Sequence, residues 1–332
     1  MRKKISRRTV IQSGSALSLA TLWPFGVRAD ISGLPRSDYG FATTAEEVVA
    51  DIDLSGKTVL VTGCNSGLGY ESMRVMAARG AHVIGTARTI EKAEKACASV
   101  TGKTTPLVCE LTDLDNIVAC SQQVQALDLP IDIFLCNAGI MALPKLEQVN
   151  GIEKQFFVNH LGHYLLTRRL LPQVEAAPAG RIVVLSSIGY RNAPKAGIEF
   201  DNLSGENDYS PFRSYGQSKL ANALFSRELA RRYADTGVTS NSVHPGYVAT
   251  NLGRYVTGKP RDPNEPLRKG FKTVDQGAAT QVYVATDSRL ADVSGHYFED
   301  CNPVEPGGPH MHDDALALKL WQVSEELTAA YL

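Results

Sequence analysis

Three glycines that follow the first strand-like segment restrict the fold of this chain more than any other feature. Residues 58–61 form a short apolar run, and Gly63, Gly67 and Gly69 come directly after it. Between a strand and a helix, such glycines allow a sharp turn, a close approach of phosphate to the backbone and tight packing of helix on strand. The helix would then present free N–H groups and its positive dipole end to an anion. This spacing predicts an α/β fold that holds the pyrophosphate of a dinucleotide.

Short strand patterns alternate with helix patterns along the rest of the chain. A parallel sheet covered by helices on both faces produces such an alternation, and no change of composition divides the chain. We therefore predict one doubly wound Rossmann domain over residues 55–332, with a mainly parallel seven-stranded sheet. The predicted strands are residues 58–61, 82–85, 105–109, 131–136, 181–185, 238–243 and 296–298. The predicted helices are residues 68–79, 89–100, 113–126, 147–170, 213–234, 273–286 and 313–332.

The N-terminus carries a pattern typical of a targeting segment. Residues 1–8 are rich in Lys and Arg, an uncharged stretch follows, and Val27-Arg28-Ala29 resembles a peptidase site. Arg7-Arg8 matches the twin-arginine type of export signal. We therefore expect a cleaved signal over residues 1–29, a periplasmic protein, and an N-terminal extension over residues 30–54. The alternatives are an uncleaved segment that anchors the protein to the inner membrane, which would be its only membrane contact, and a disordered basic tail.

The charge balance argues against nucleic acid as a partner. Residues 1–29 contain six basic residues and no acidic one, so their removal leaves 28 basic against 35 acidic residues. The remaining chain is mildly acidic and has no basic block.

Cysteine and histidine spacing predicts no metal site. The six cysteines form no C-x-x-C pair, and we interpret Cys109 and Cys136, which lie in apolar runs, as small buried residues. The sequence around His160, His163 and His244 lacks the spacing of a third metal ligand. We interpret His160 and His163 as packing or hydrogen-bonding residues.

The end of the second predicted strand indicates which dinucleotide is bound. A carboxylate there would bind the ribose 2′-hydroxyl of NAD(H) and repel a 2′-phosphate. This chain has Ala87 followed by Arg88, and a guanidinium favours a phosphorylated ribose. We therefore expect NADP(H), with NAD(H) as the alternative if Arg88 is only a surface charge.

Further motifs make the chain resemble the short-chain dehydrogenases/reductases over residues 55–300. Asn137-Ala138-Gly139 resembles the turn after the family's fourth strand, Ser187 matches its catalytic serine, and Tyr215-Gly-Gln-Ser-Lys219 matches its Tyr-x-x-x-Lys pair. Asn159 matches the helix asparagine, and Pro245-Gly246 followed by Thr250 resembles the segment at the nicotinamide end. The runs at residues 159–167 and 215–222, and the long interval from Ser187 to Tyr215, are similar to retinol dehydrogenases and WW-domain-oxidoreductase-like enzymes. Glu110 departs from the family pattern, which usually has Asp near the adenine.

Motifs and resemblance together define two sets of candidate residues. The catalytic candidates are Asn159, Ser187, Tyr215 and Lys219. The candidates for cofactor binding are Gly63, Asn65, Ser66, Gly67, Leu68, Gly69, Arg88, Glu110, Leu111, Asn137, Ala138, Gly139, Tyr215, Lys219, Pro245, Gly246 and Thr250.

The catalytic set suits the interconversion of an alcohol and a carbonyl. Tyr215 would exchange a proton with the substrate oxygen, and a free phenol titrates near ~10. Lys219 lies at i+4, and its positive charge is expected to lower the pKa of Tyr215; the resemblance also gives it the nicotinamide ribose. Ser187 would stabilise charge on the substrate oxygen. The resemblance assigns Asn159 a water that passes protons from Lys219.

Two loops, residues 188–212 and 247–270, are expected to cover the substrate cleft. Their apolar and aromatic content indicates an apolar alcohol or carbonyl as substrate; it comprises Tyr190, Ile198, Phe200, Tyr209, Phe212, Tyr247, Leu252, Tyr255 and Val256. Ser187 lacks a Gly-x-Ser-x-Gly elbow, which argues against a hydrolase. The alternatives to a dehydrogenase are a light-dependent tetrapyrrole reductase and an NADP(H)-binding sensor without turnover. Because members of the family often pair through long helices, the resemblance also implies a homo-oligomer.

Overall fold

The computed structural model describes residues 31–262 and 264–332. The predicted signal, residues 1–29, lies outside them. Within the described residues, no helix combines the length and the hydropathy needed to span a membrane.

One eight-stranded sheet forms the centre of the molecule, with strand order β10-β9-β8-β7-β4-β1-β2-β3. All neighbours in it are parallel except β9 and β10. Two further strands, β5 and β6, form a separate hairpin. The strands are β1 Thr58–Thr62, β2 His82–Ala87, β3 Lys103–Val108, β4 Ile133–Cys136, β5 Gln148–Val149, β6 Ile152–Glu153, β7 Arg181–Leu185, β8 Thr239–His244, β9 Tyr297–Glu299 and β10 Asn302–Val304.

Helices cover both faces of this sheet because its central strands are apolar on both sides. In β1, Val59 and Val61 belong to one core, and Leu60 belongs to the core on the opposite face. The first core is closed by α1, α2, α3 and α9, and the second by α4, α6, α7 and α10. The helices are α1 Ala45–Val48, α2 Gly67–Ala78, α3 Ile90–Ala98, α4 Leu114–Gln125, α5 Lys154–Phe156, α6 Gly162–Glu175, α7 Pro211–Arg232, α8 Arg254–Thr257, α9 Val274–Thr286 and α10 Asp314–Thr328, and a π-helical turn, Phe157–Leu161, joins α5 to α6.

The strand order confirms a single doubly wound domain and locates its ligand crevice. From β1 the chain builds β2 and β3 on one side and then returns to β4 on the other side of β1. Ligands of such sheets bind at this reversal, beyond the carboxyl ends of the strands. The crevice therefore lies between the turns that follow β1 and β4.

The sheet has eight strands rather than the predicted seven. The additional strand, β10, pairs antiparallel with β9 across a tight turn at Asp300 and Cys301, whose φ angles are 50° and 58°. Neither residue type marks such a turn as strongly as Gly or Asn does, and Pro303 argues against a strand. Proline is tolerated here because β10 is the edge of the sheet.

The helix predicted over residues 147–170 was wrong at both ends. Its first part is the β5–β6 hairpin, which turns at Asn150-Gly151 with φ angles of 51° and 80°. Asn-Gly is a strong hairpin sequence because both residues tolerate positive φ. The helical segment begins at Lys154 and passes through Pro172, in its last turn, to Glu175.

The C-terminal helix covers the two long helices of the second face. The indole of Trp321 on α10 lies 5.2 Å from the ring of Tyr164 on α6 and 6.0 Å from that of Phe225 on α7, measured between ring centroids. The faces of α6 and α7 around these rings are thus covered by α10.

Candidate active site

Tyr215 and Lys219 lie on α7 and are both buried against the end of β7. The exposed fractions of the two side chains are 5% and 3%, and the Lys219 Nζ lies 5.8 Å from the centroid of the Tyr215 ring. The Lys219 amine donates a hydrogen bond to the carbonyl oxygen of Leu185 at 2.8 Å, and the Asn222 amide donates to the same oxygen at 2.9 Å. The last residue of β7 therefore fixes the position of the lysine amine.

Two glycines bring the Ser187 turn into contact with α7. A Cβ on Gly216 would lie 2.7 Å from the backbone nitrogen of Ala193, and a Cβ on Gly189 would lie 2.8 Å from the Tyr215 ring. Ser187 accepts a hydrogen bond from the Gly189 N–H at 3.0 Å, and its Oγ would lie 3.3 Å from the same Cβ on Gly189 that contacts the Tyr215 ring. Ser187 and Tyr215 thus lie beside each other at the carboxyl end of β7.

Burial controls the titration of both catalytic candidates on α7. It raises the pKa of Tyr215 to about 12, against the opposing effect of the nearby Ser187 side chain, and lowers the pKa of Lys219 to about 7. The expected lowering of the Tyr215 pKa by Lys219 is not among the causes of this shift. The reason is that burial disfavours the lysine's own charge, so the amine is only partly protonated at neutral pH.

Asn159 lies in the π-helical turn before α6, and its side chain is fully committed to protein partners. The amide oxygen accepts a hydrogen bond from the Ile140 N–H, and the amide nitrogen donates to the Ile140 carbonyl and to Ser218 Oγ, all at 2.9 Å. A Cβ on Gly139 would lie 3.2 Å from the Asn159 oxygen and 3.6 Å from the Lys219 amine. Because Gly139 has no side chain, the Asn159 oxygen and the Lys219 amine both border the space that a side chain would occupy here.

The glycine turn after β1 has the geometry that its spacing predicts. Gly63 and Gly67 adopt φ angles of 70° and 58°, and a Cβ on Gly69 would lie 2.4 Å from both the Gly63 carbonyl oxygen and the Asn137 amide nitrogen. Ser66 begins α2 but makes no capping hydrogen bond with its side chain, and the first turn of α2 has no acidic residue. Such a helix end suits a pyrophosphate. Asn65 and Ser66 are exposed, and Leu68 is half-buried.

A buried network that the sequence analysis missed joins this turn to the Asn159 region. Thr62 Oγ1 accepts hydrogen bonds from the N–H groups of Asn137 and Ala138 at 2.9 and 3.0 Å and contacts His163 Nε2 at 2.8 Å. His163 Nδ1 lies 3.0 Å from the carbonyl oxygen of Asn159. A carbonyl can only accept, so Nδ1 carries the hydrogen and the Thr62 hydroxyl donates to Nε2. Burial lowers the pKa of His163 to about 4, which keeps the ring neutral.

The residues expected on the adenine side lie at the ends of β2 and β3. Arg88 is exposed and has no ion-pair partner within residues 31–262 and 264–332. Glu110 uses one carboxylate oxygen to accept hydrogen bonds from the Thr112 N–H and hydroxyl, at 3.1 and 2.9 Å, and Leu111 is buried. Arg88 is thus free to meet a ligand, whereas Glu110 retains only its second oxygen for one.

The loop after β8 reaches back to the glycine turn. Gly246 has a φ of 88°, Pro245 is half-buried, and the Thr250 methyl group lies 3.6 Å from the position of a Cβ on Gly67. Thr250 Oγ1 also accepts a hydrogen bond from the Leu252 N–H at 3.3 Å. The structure thus brings the third expected segment, residues 245–250, to the same crevice.

The aromatic residues expected in the cleft separate into two groups. Tyr190 and Ile198 are buried in a core cluster with Leu220 and Leu224 and cannot line a cleft. The other seven are at least partly exposed: Phe200, Tyr209 and Leu252 are half-buried, and Phe212, Tyr247, Tyr255 and Val256 are 42–61% exposed.

The cysteines and histidines form no ligand cluster in the part of the chain that the structure describes. No group of three or more His, Cys, Asp or Glu residues is placed to hold a metal ion there. Cys109 and Cys136 are buried, as interpreted from the sequence. His160 hydrogen-bonds Ser324 on α10 at 2.8 Å and packs against Phe156.

Curated relatives are similar in sequence to this chain over most of its length. A short-chain dehydrogenase, TIC 32 A from Brassica napus, is 40% identical over 88% of this chain and 95% of its own. Human retinol dehydrogenase 14 is 38% identical over 82% and 86%, and the human WW domain-containing oxidoreductase is 35% identical over 88% and 73%. These relatives confirm the resemblance inferred from residues 159–167 and 215–222.

Solved structures with the same fold are also similar in sequence. An uncharacterized protein from Mycobacterium paratuberculosis has a TM-score of 0.69 and 32% identity over 87% of this chain and 98% of its own. A candidate NAD(P)-dependent gluconate 5-dehydrogenase from Beutenbergia cavernae, solved with NADP, has a TM-score of 0.58 and 25% identity over 75% and 96%. The family described as short chain dehydrogenase matches residues 57–260. On this match and these relatives, the chain belongs to the short-chain dehydrogenase family of oxidoreductases.

Proposed function

We propose that this protein is an NADP(H)-dependent oxidoreductase that interconverts an alcohol and a carbonyl on an apolar substrate. The observation that carries the proposal is the buried phenol of Tyr215, which lies beside Ser187 at Gly189 and shares its helix with Lys219 at the carboxyl edge of the sheet. A phenol and a serine hydroxyl aimed at one point can bind a single substrate oxygen and move a proton to or from it.

The residues around the crevice fit a dinucleotide. Gly69 lets the start of α2 pack directly on the turn after β1, where a Cβ would lie 2.4 Å from the Gly63 carbonyl, and that start presents N–H groups with no capping side chain or acidic residue. The dinucleotide would supply the hydride. Ribose hydroxyls that accept hydrogen bonds from Lys219 would favour its ammonium form, which in turn would favour the Tyr215 phenolate.

Several observations support NADP(H) over NAD(H). Arg88 is exposed and unpaired at the end of β2, where a carboxylate would select NAD(H). The similar Beutenbergia cavernae protein was solved with NADP.

The two segments expected to cover the cleft support an apolar substrate. They carry Phe212, Tyr247 and Tyr255, which are 47%, 61% and 42% exposed and would suit an apolar ligand. Relatives named retinol dehydrogenase support the same substrate class.

Export and assembly belong to the proposal as well. We propose that residues 1–29 direct the chain to the periplasm by the twin-arginine route and are then removed, leaving the extension at residues 30–54 and the domain at residues 55–332. Intact-mass measurement of the protein from a periplasmic extract tests this; a full-length mass in the membrane fraction would favour the inner-membrane anchor. We further propose a homo-oligomer that leaves the α10-covered face intact.

Turnover is tested by following NADPH oxidation against a panel of aldehydes, ketones and quinones, with the wild-type chain and Tyr215→Phe. We expect the phenylalanine variant to bind NADPH normally and to lose about 10²–10⁴-fold in rate, the usual contribution of a general acid–base group. Binding without turnover in the wild-type chain would indicate a sensor, and turnover that needs light would indicate a tetrapyrrole reductase. Equal turnover by both chains would refute the role of Tyr215.

A further inference from the structure

A second lysine, outside the Tyr215–Lys219 pair, is buried at the same edge of the sheet. The side chain of Lys272 is 1% exposed, and its amine donates a hydrogen bond to Asp300 Oδ1 at 2.5 Å. Asp300 lies in the turn between β9 and β10 with a φ of 50°, and its side chain is 36% exposed. Burying an ammonium costs several kcal/mol before pairing offsets it, so this position calls for a physical explanation.

Lys272 holds the loop after β8 through its backbone. Its N–H donates to the Tyr247 carbonyl at 2.8 Å, and its carbonyl accepts from the Ala249 N–H at 3.1 Å. These two bonds make Lys272 the parallel partner of Val248.

The side chain of Lys272 also packs against the loop after β8. A Cβ on Gly246 would lie 2.9 Å from Lys272 Cδ and 3.0 Å from its Cε. The aliphatic stem therefore lies directly against Gly246, and the ion pair with Asp300 prevents the stem from moving away. The Lys272 amine also lies 5.2 Å from the centroid of the Phe41 ring, which gives the cation a second favourable contact.

The supported loop borders one half of the dinucleotide crevice. It follows β8, which neighbours β7, and β7 ends beside Ser187. The adenine side lies at the other end of the crevice, beyond β2 and β3. Hydride transfer requires the reactive half of the cofactor to lie near Ser187 and Tyr215. The loop at residues 246–250 therefore borders that half.

We infer that Lys272 is a positioning residue, whose ion pair with Asp300 holds residues 246–250 against the hydride-carrying half of the bound dinucleotide. A buried ion pair adds little net stability on average, because apolar replacements of similar volume are often neutral. Here the ion pair instead fixes the position of the loop at residues 246–250. The inference rests on the proposed function and adds to it a residue remote from the reacting atoms.

The test compares two ligands on Lys272→Met, which keeps the stem and removes the charge. NADPH spans the whole crevice, whereas 2′,5′-ADP occupies only the adenine side. By fluorescence titration we expect the Kd of NADPH to rise about tenfold and that of 2′,5′-ADP to stay unchanged. Asp300→Asn, which keeps an acceptor, should shift NADPH in the same direction by less. The double variant should resemble Lys272→Met, because both changes remove one interaction.

Lys57→Met is the matched control. Lys57 also donates to an aspartate, Asp132 at 2.9 Å, but at the amino end of β1, so its loss should leave both Kd values unchanged. Equal weakening of both ligands in Lys272→Met, or unchanged NADPH binding, would overturn the inference while the proposed function stands. If the wild-type chain binds NADH instead, the same comparison is made with NADH and 5′-AMP. A wild-type chain that binds neither dinucleotide refutes the proposed function and the inference with it.

Discussion

Two threonines side by side in the sheet allow a matched test of the buried network behind the crevice. Thr62 on β1 and Thr86 on β2 are register partners, and each is 1% exposed. The Thr62 hydroxyl accepts from the N–H groups of Asn137 and Ala138 and donates to His163. The Thr86 hydroxyl has no hydrogen-bond partner within the described residues. Replacement of either threonine by Val removes one hydroxyl, which makes hydrogen bonds in Thr62 and makes none in Thr86.

The expected magnitudes follow from the groups left without a partner. Thr62→Val leaves the Ala138 N–H and one imidazole nitrogen unsatisfied, whereas the Asn137 N–H keeps its 3.0 Å bond to the Leu135 carbonyl. Each such buried unsatisfied group costs about 1–3 kcal/mol. Because the turn at Asn137 is only partly buried, we take the lower value for each of the two groups and expect a loss of about 2 kcal/mol in the free energy of unfolding. Thr86→Val removes a buried hydroxyl that bonds to nothing, so we expect no loss or a gain of about 1 kcal/mol.

Urea unfolding of both variants at neutral pH measures this difference directly. Thr62→Val should also weaken NADPH binding, because the turn that it releases packs on Gly63 and Gly69. If the two variants differ by less than about 0.5 kcal/mol, which is the range of ordinary surface substitutions, the network does not hold the turn and our account of Thr62 is wrong.

Three further predictions concern the cofactor, pH and assembly. Arg88→Asp should raise the KM for NADPH and lower the KM for NADH, so that the ratio of the two kcat/KM values changes by about tenfold or more. The melting temperature should stay unchanged because Arg88 is exposed. An unchanged preference for NADPH over NADH would contradict the role of Arg88. Burial lowers the pKa of Lys219 to about 7 from an ordinary 10.5, so between these values the unfolded chain holds more protons and folded-state stability rises with pH. Urea unfolding at both ends of that window should show this rise reduced in Lys219→Met, and identical slopes would refute it. Removal of residues 314–332 should uncover Tyr164 and Phe225 and raise the mass measured by light scattering, whereas an unchanged mass would show that this face does not associate.

The parts of the fold that the sequence predicts correctly are those with short-range causes. The strand ending at Thr62, the glycine turn and the helix after it depend on alternation and on glycine spacing within a few residues. The β5–β6 hairpin was missed although Asn150-Gly151 marks it, because the helical pattern of the following residues was extended backwards over it. The β9–β10 hairpin has no such mark, since its turn is formed by Asp300 and Cys301, and its short pairing is stabilised mainly by the neighbouring elements.

In the site, too, contacts between residues close in sequence could be predicted and contacts between distant residues could not. The supporting residues Thr62, His163 and Lys272 make contacts of the second kind. Tyr215 and Lys219 are one helical turn apart, so their meeting is a local property of α7. His163 reaches Thr62 across 101 positions and Lys272 reaches Asp300 across 28. In the sequence, Lys272 follows Arg268 and Lys269, which are exposed, and nothing in its neighbours distinguishes it from them. Its burial depends on the absence of a side chain at Gly246 and on a carboxylate in the turn after β9. A position of this kind can therefore be recognised only after the ends of β8 and β9 have been placed side by side.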